Sequence, residues 1–194
     1  MKETGIAAII AVICSFLGLF DYGEEQIKDA YALMEKQQYE EAQQEFEAAL
    51  ELCEETHERY EDKEKETYVL TEAYRGLGMA AYEMEDYTNA SAYFQKALDA
   101  GAEGTVIFYN MFGISALKAE EYEAALNAFE NGIALAETEK TTDTEMYREM
   151  YFNSIICCEY LADWENARLK ADAYLALYPD DEAVQKEKIF LKTR

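Results

Sequence analysis

Side chains that commonly carry catalysis are sparse in this sequence. His57 is the only histidine, and His57-Glu58 does not begin an HExxH zinc site because Glu61 stands at the second ligand position. Nucleophilic catalysis requires a base beside the nucleophile, and the P-loop, dinucleotide-binding and nucleophile-elbow motifs do not occur in the sequence. We therefore predict that the protein is not an enzyme and that it has no metal site and no cofactor.

The four cysteines also lack the spacing of a zinc or redox site. Cys14, Cys53, Cys157 and Cys158 form neither a CxxC pair nor a zinc-ligand pattern. The adjacent pair Cys157 and Cys158 falls on a helical pattern, where buried cysteines behave as small hydrophobic side chains. No disulfide framework is expected.

Charge excludes a second group of functions. Asp and Glu number 41 against 17 Lys and Arg, so the formal net charge is −24. Phosphate backbones attract Lys and Arg, so nucleic acid is not an expected partner. Direct docking onto anionic lipid is disfavoured for the same reason. The acidic surface has two interpretations, which are solubility and selection of a basic partner.

Residues 71 to 101 show the pattern around which the chain is organised. They predict two amphipathic helices that meet at a turn near Asp86. Gly78 and Ala90 lack bulk where the helices approach each other, and Phe94 fills the adjacent space. The apolar faces consist of Tyr74, Leu77, Gly78 and Ala81 in the first helix and Ala90, Phe94, Ala97 and Leu98 in the second.

The same pattern recurs in three other places. In the copy near residues 106–139, the matching residues are Tyr109, Phe112, Gly113, Ala116, Tyr122, Ala125 and Phe129. The copy near residues 148–181 keeps Tyr151 and Trp164 but has Ser154 and Ile155 in place of the Leu-Gly pair. The copy near residues 23–56 has Asp29 and Ala30 there and matches better in its second helix, through Tyr39, Ala42, Phe46, Ala49 and Leu50.

These four copies resemble the tetratricopeptide repeat, a helix-turn-helix unit of about 34 residues that stacks into a solenoid. The resemblance implies an all-α fold, a right-handed α-solenoid of about four hairpins with a capping helix over residues 182–192. The repeat domain would span residues 21–194, with repeats near 23–56, 71–104, 106–139 and 148–181.

Local signals refine this picture. The charged stretch over residues 53–66 predicts a helix extension or an exposed loop between the first two repeats. Thr142 and Glu145 have the spacing of a capping box for the next helix. Pro179 ends the last repeat, and Asp180 or Asp181 is expected to cap the final helix.

The resemblance further implies a concave groove, lined by the first helix of each repeat, that binds extended or helical peptides. Asn110 can bond a peptide backbone as donor and acceptor. Only Arg75 and Lys118 could contribute to a carboxylate clamp, so we do not predict one. An alternative is that this face is buried as core. The inward-facing residues are Tyr31, Met34, Arg75, Met79, Tyr82, Asn110, Ile114, Leu117, Phe152, Ile156 and Tyr160.

Residues 1–20 form a separate apolar segment. Lys2 precedes an apolar run from residue 5 to 20, about 24 Å long as a helix and short of the roughly 30 Å hydrocarbon core of a membrane. The segment is similar to a secretory signal, and Asp21 and Glu24 follow it, which places the repeats outside the cytoplasm. Cys14 is a candidate for lipidation, although Ile13 departs from a lipobox. An uncleaved anchor is preferred, and a core helix packed on the first repeat is the alternative.

The predicted function is therefore a non-enzymatic scaffold that binds a protein or peptide, basic or apolar in character, in its concave groove. It would be tethered to the membrane through residues 1–20 only and lie outside the cytoplasm, with a cytoplasmic location as the alternative. The competing hypothesis is a structural repeat protein that associates with itself and has no peptide ligand.

Overall fold

The computed structural model describes residues 23–57 and 62–194, and within these ranges it contains nine α-helices and no β-strand. The predicted all-α class is confirmed. The helices are α1 (Glu24–Glu35), α2 (Tyr39–His57), α3 (Lys63–Glu83), α4 (Tyr87–Asp99), α5 (Val106–Lys118), α6 (Tyr122–Glu139), α7 (Glu145–Tyr160), α8 (Trp164–Leu177) and α9 (Glu182–Leu191).

Consecutive helices pair into four hairpins that stack in chain order, and α9 closes the stack against α8. The second helix of each hairpin packs on the first helix of the next, as α2 does on α3 and α6 on α7. The first helices also contact one another, α1 with α3, α3 with α5, and α5 with α7. The first helices therefore form one continuous layer, as the predicted solenoid requires.

Each of the first three hairpins closes around a buried phenylalanine. A Cβ atom placed on Gly78 would lie 2.8 Å from the Phe94 ring, and one on Gly113 would lie 2.5 Å from the Phe129 ring. Phe46 is equally buried in the first hairpin, and its ring also reaches Gly76 of the second hairpin. That contact between hairpins was not predicted.

The turns inside the four hairpins share one backbone geometry. Gln37, Glu85, Glu120 and Ala162 each have a positive φ, between 56° and 63°. In the second hairpin, the Glu85 N–H donates to the Tyr82 carbonyl at 3.0 Å and the Asp86 N–H to the Ala81 carbonyl at 2.8 Å. These two hydrogen bonds end the first helix of the hairpin and direct the chain into the second helix. Asp86 then caps α4 by accepting from the Asn89 N–H.

Other local predictions had mixed outcomes. The prediction that Thr142 and Glu145 form a capping box is wrong. Thr144 caps α7 instead, by accepting a hydrogen bond from the Tyr147 N–H at 3.2 Å. Thr142 instead offers its carbonyl to the Tyr178 hydroxyl at 2.6 Å. Asp181 caps the final helix, as predicted, through the Ala183 and Val184 N–H groups. Residues 53–66 were expected to form a helix extension or an exposed loop, and both α2 and α3 extend into this stretch.

A pair of carboxyl groups lies between the fourth hairpin and the capping helix. Glu159, near the end of α7, lies against Glu187 of α9. Burial raises the pKa of Glu159 to about 7, and the hydrogen bond and negative charge of Glu187 add to the increase. The neutral form of Glu159 is therefore favoured at this junction.

We expect Ala162→Gly to stabilise the protein by roughly 0.5–1 kcal/mol, because glycine adopts a positive φ without the steric cost that alanine carries. Ala134→Gly is the matched control, since Ala134 is an exposed residue inside α6. That variant should lose about 1 kcal/mol. Chemical denaturation measures both changes, and destabilisation by Ala162→Gly would contradict the assigned turn.

We also expect Glu159→Gln to reduce the loss of stability that accompanies rising pH. The folded-state pKa of Glu159 is raised from 4.5 to about 7, so its stabilising contribution is complete below about pH 4.5 and is lost as the pH rises through about 7. Unfolding of wild type and variant should be compared between these two pH values, with exposed Glu165→Gln as control. Identical pH profiles for wild type and Glu159→Gln would disprove the raised pKa.

Candidate peptide-binding groove

The structure places every predicted groove residue on a first helix. Nine of the eleven are partly buried, whereas Asn110 is buried and Tyr160 is 60% exposed. Tyr160 stacks face to face on Tyr122, with ring centroids 4.3 Å apart. The positions are Tyr31 and Met34 on α1, Arg75, Met79 and Tyr82 on α3, Asn110, Ile114 and Leu117 on α5, and Phe152, Ile156 and Tyr160 on α7.

Asn110 is the most unusual of these residues. It is 8% exposed, and its Oδ1 atom is buried without a hydrogen-bond partner in the described part of the chain. A buried polar atom without a partner costs about 1–3 kcal/mol, and such atoms are rare in folded proteins. A ligand that supplies a donor at this position would remove that cost.

Ile107 lies one helical turn before Asn110 on the same side of α5, and it was not among the predicted residues. Its side chain is 58% exposed, which is a high value for isoleucine. Its i, i+3 spacing from Asn110 and i, i+7 spacing from Ile114 could have identified it from the sequence. An apolar contact point therefore stands beside the unpartnered amide.

The N-terminal end of the layer is occupied by contacts within the chain. The Tyr31 hydroxyl donates to Glu72 Oε2 at 2.9 Å, and Arg75 Nη1 donates to Glu72 Oε1 at 2.8 Å. Arg75 Nη2 also donates to the Glu103 carbonyl at 3.0 Å. Burial and the adjacent Glu72 carboxylate raise the pKa of Tyr31. Arg75 therefore serves an internal network, which removes it as a carboxylate-binding residue.

The C-terminal end is open. A cavity of about 750 Å³ lies between α7, the end of α8 and the start of α9, and Phe152 is part of its lining. Burial raises the pKa of Tyr82, and the nearby ionisable groups of Tyr87 and of Glu149 on α7 raise it further. The other side chains around the cavity are Asp143, Glu145, Arg148, Glu149, Tyr174, Asp181 and Ala183.

These cavity residues were also missed in the sequence analysis. Glu149 precedes Phe152 by three residues and Ile156 by seven, so helical spacing alone could have placed it on the same face. Tyr174 and Asp181 could not be found in this way, because they reach the cavity from α8 and the start of α9.

The three cysteines that the structure describes show no sign of reactivity. Cys53, Cys157 and Cys158 are buried free thiols, as expected for small hydrophobic side chains. Burial raises the pKa of the Cys157 thiol to about 12 and that of Cys53 to about 11. A raised pKa suppresses the nucleophilic thiolate. Cys14 lies outside the described residues, as does the whole apolar segment over residues 1–20.

Sequence comparison gives the family. Two models of the tetratricopeptide repeat match the chain, one over residues 110–182 and the other over residues 30–56 and 71–100. The chain belongs to the tetratricopeptide repeat family. Proteins of this fold generally act as non-catalytic scaffolds for protein interactions.

Solved structures agree with this tetratricopeptide repeat fold. YrrB, described as a TPR protein with an unusual peptide-binding site, has a TM-score of 0.65 and 23% identity, covering 87% of this chain and 75% of YrrB. MamA (AMB-1) has a TM-score of 0.55 and 16% identity, covering 88% of this chain and 78% of MamA. At such identities the likeness concerns the fold alone. No curated protein matches the sequence significantly.

We expect Asn110→Leu to leave the free energy of unfolding unchanged or to raise it by about 1 kcal/mol, because the substitution removes a buried polar atom that has no partner. Tyr147→Phe is the control, since it removes the hydroxyl that donates to Glu137 at 3.1 Å and should cost about 1 kcal/mol. Urea denaturation of both variants tests this expectation. A loss of more than about 1 kcal/mol for Asn110→Leu would indicate that its amide stabilises the fold.

Proposed function

We propose that the protein is an interaction scaffold whose first-helix layer binds an extended or helical segment of a partner protein. One observation carries this proposal, which is the buried and unpartnered Oδ1 of Asn110 on that layer. The amide of Asn110 can both donate and accept, so a peptide unit of the partner would satisfy it. The layer is a scaffold for contact, and we assign it no catalytic step and no cofactor.

The surroundings of Asn110 define the chemistry of the partner. Ile107 is exposed, and Met79, Tyr82 and Ile114 are partly buried against the core. Apolar and aromatic side chains of this kind supply most of the contact energy in peptide grooves. The cavity at the C-terminal end is mainly acidic. The partner segment is accordingly proposed to be apolar or basic in character.

We further propose that residues 1–20 tether the scaffold to a membrane, with the repeats outside the cytoplasm. The support comes from the sequence alone, namely the apolar run after Lys2, the acidic residues that follow it, and Cys14 as the lipidation candidate. Within residues 23–57 and 62–194, no helix combines the length and hydropathy of a transmembrane span.

Site-specific photocrosslinking in cells tests the groove. A photoreactive amino acid placed at Ile107 should form a discrete adduct with a partner, and the same amino acid at Leu169 should not. Leu169 is the matched control, because it is 59% exposed, close to the 58% of Ile107, and lies on the second helix α8. Tyr82→Ala/Asn110→Ala should reduce the Ile107 adduct at least about tenfold, since each side chain would contact the partner.

Three results would speak against this function. Equal adducts at Ile107 and Leu169 would indicate non-specific contact. An Ile107 adduct that survives Tyr82→Ala/Asn110→Ala would remove the groove assignment. An adduct with the mass of a second copy of the chain would favour the structural alternative, in which the repeats bind one another.

A further inference from the structure

We infer that α9 pairs with α9 of a second copy of the chain, antiparallel to it and about a twofold axis. In this dimer each α9 takes, beside the other, the place that the second helix of a hairpin would have. The position of Ile189, the charges along the same face of α9 and the charge distribution of the chain support this pairing together. The contact lies at the end of the stack and is separate from the groove of the proposed function.

Ile189 stands where the first helix of a hairpin packs on its own second helix. It follows Ile155 by 34 residues, which is the length of one repeat. Ile155 is fully buried, in one cluster with Ala171 of α8. Gly78 and Gly113 hold the same position in the second and third hairpins, each against a phenylalanine of the second helix. The repeat register therefore predicts that a helix covers Ile189.

No helix of the described chain covers this position on α9. The helix packs on α8 through the buried Val184 and Leu191, whereas Ile189 is 64% exposed. One exposed isoleucine is ordinary on a protein surface, but the corresponding position is buried in all four hairpins. Those buried residues are Ala30, Gly78, Gly113 and Ile155. One side of α9 thus lacks the helix that its register calls for.

Four exposed side chains form a stripe along this side of α9. Their spacing of three, four and three residues is that of a coiled-coil seam. The stripe consists of Glu182, Gln185, Ile189 and Lys192. Lys192 keeps a helical backbone, with φ −67° and ψ −15°, and so continues the spacing. An acid stands at one end and a base at the other, which makes the stripe complementary to itself when two copies run antiparallel.

Antiparallel pairing about an axis beside residue 187 satisfies both ends of the stripe. Glu182 of one copy then lies opposite Lys192 of the other, and symmetry forms this pair twice. The existing ion pair of Glu182 with Lys186 is 3.9 Å long, with side chains 85% and 79% exposed, so it is weak and Glu182 can exchange partners. Lys192 has no ion pair within residues 23–57 and 62–194.

The C-terminal end is also where two copies repel each other least. The net charge of −24 makes most surfaces of the chain repel a second copy. Residues 182–194 are an exception, because their basic side chains outnumber their acidic ones. They carry Lys186, Lys188, Lys192 and Arg194 against Glu182 and Glu187. One helix per copy is a smaller contact than the roughly 800 Å² per partner of a standard interface, so the dimer is expected to be weak.

Sedimentation equilibrium of the full chain, in the same nonionic detergent for every variant, tests this pairing up to about 200 µM. Wild type should show a monomer–dimer equilibrium, and Ile189→Asp should weaken it at least about tenfold, because a charge would be buried in the seam. Ile107→Asp is the matched control, since Ile107 is 58% exposed but lies in the groove. It should change the dimer Kd less than about twofold.

Charge exchange tests the antiparallel register. Glu182→Lys and Lys192→Glu should each weaken the dimer about threefold or more, because each creates two like-charge contacts. The double variant Glu182→Lys/Lys192→Glu should return to within about twofold of wild type. Neither general repulsion nor local damage to α9 predicts this recovery. General repulsion would instead make Glu182→Lys the stronger dimer, since it lowers the net negative charge.

Each contrary result overturns the pairing. A monomer at every concentration would do so, as would a dimer that Ile189→Asp leaves intact. Weakening by Ile107→Asp instead would move self-association to the groove. Losses that add in the double charge variant would exclude the antiparallel register. The proposed function is tested separately, because the partner adduct formed at Ile107 should persist in Ile189→Asp.

Discussion

The insertion of one phenylalanine ring into a space left by glycine or alanine is the interaction on which this fold depends. Phe94 occupies the space beside Gly78, and Phe129 does so beside Gly113. Because an added Cβ would meet the ring at less than 3 Å, the ring sets how closely the two helices approach. The second and third hairpins thereby acquire the same geometry, and stacking hairpins of one geometry produces a regular solenoid.

The groove follows from that stacking. The second helix of each hairpin packs both on its own first helix and on the first helix of the next hairpin, whereas the contacts between successive first helices are smaller. One face of the first-helix layer therefore remains available, and Asn110, Ile107 and Phe152 lie on that layer. The buried Oδ1 of Asn110 has no partner in the part of the chain that the structure describes, and it is tolerated because packing of the neighbouring core residues holds α5 in position.

The repeat architecture was predictable because the physical rules that determine it act over short distances in sequence. Helical spacing of Tyr74, Leu77 and Ala81 identified one face, and the small residue at Gly78 identified the close approach. The choice of Thr144 over Thr142 as helix cap was not predictable in this way, because Thr142 is held by Tyr178 from the next hairpin. The contact of Phe46 with Gly76 was missed for the same reason, since the two residues belong to different hairpins.

The sequence by itself determined the helical class, the number of hairpins and the absence of the common catalytic motifs. These properties depend on residue type and on periodicity within about ten residues. The tertiary structure alone decided that Arg75 is held by Glu72 and Glu103, that the buried Oδ1 of Asn110 has no hydrogen-bond partner among the described residues, and that four carboxylates line the same cavity as Phe152. Such properties depend on which side chains from different helices occupy the same space, and spacing along one helix carries no information about that.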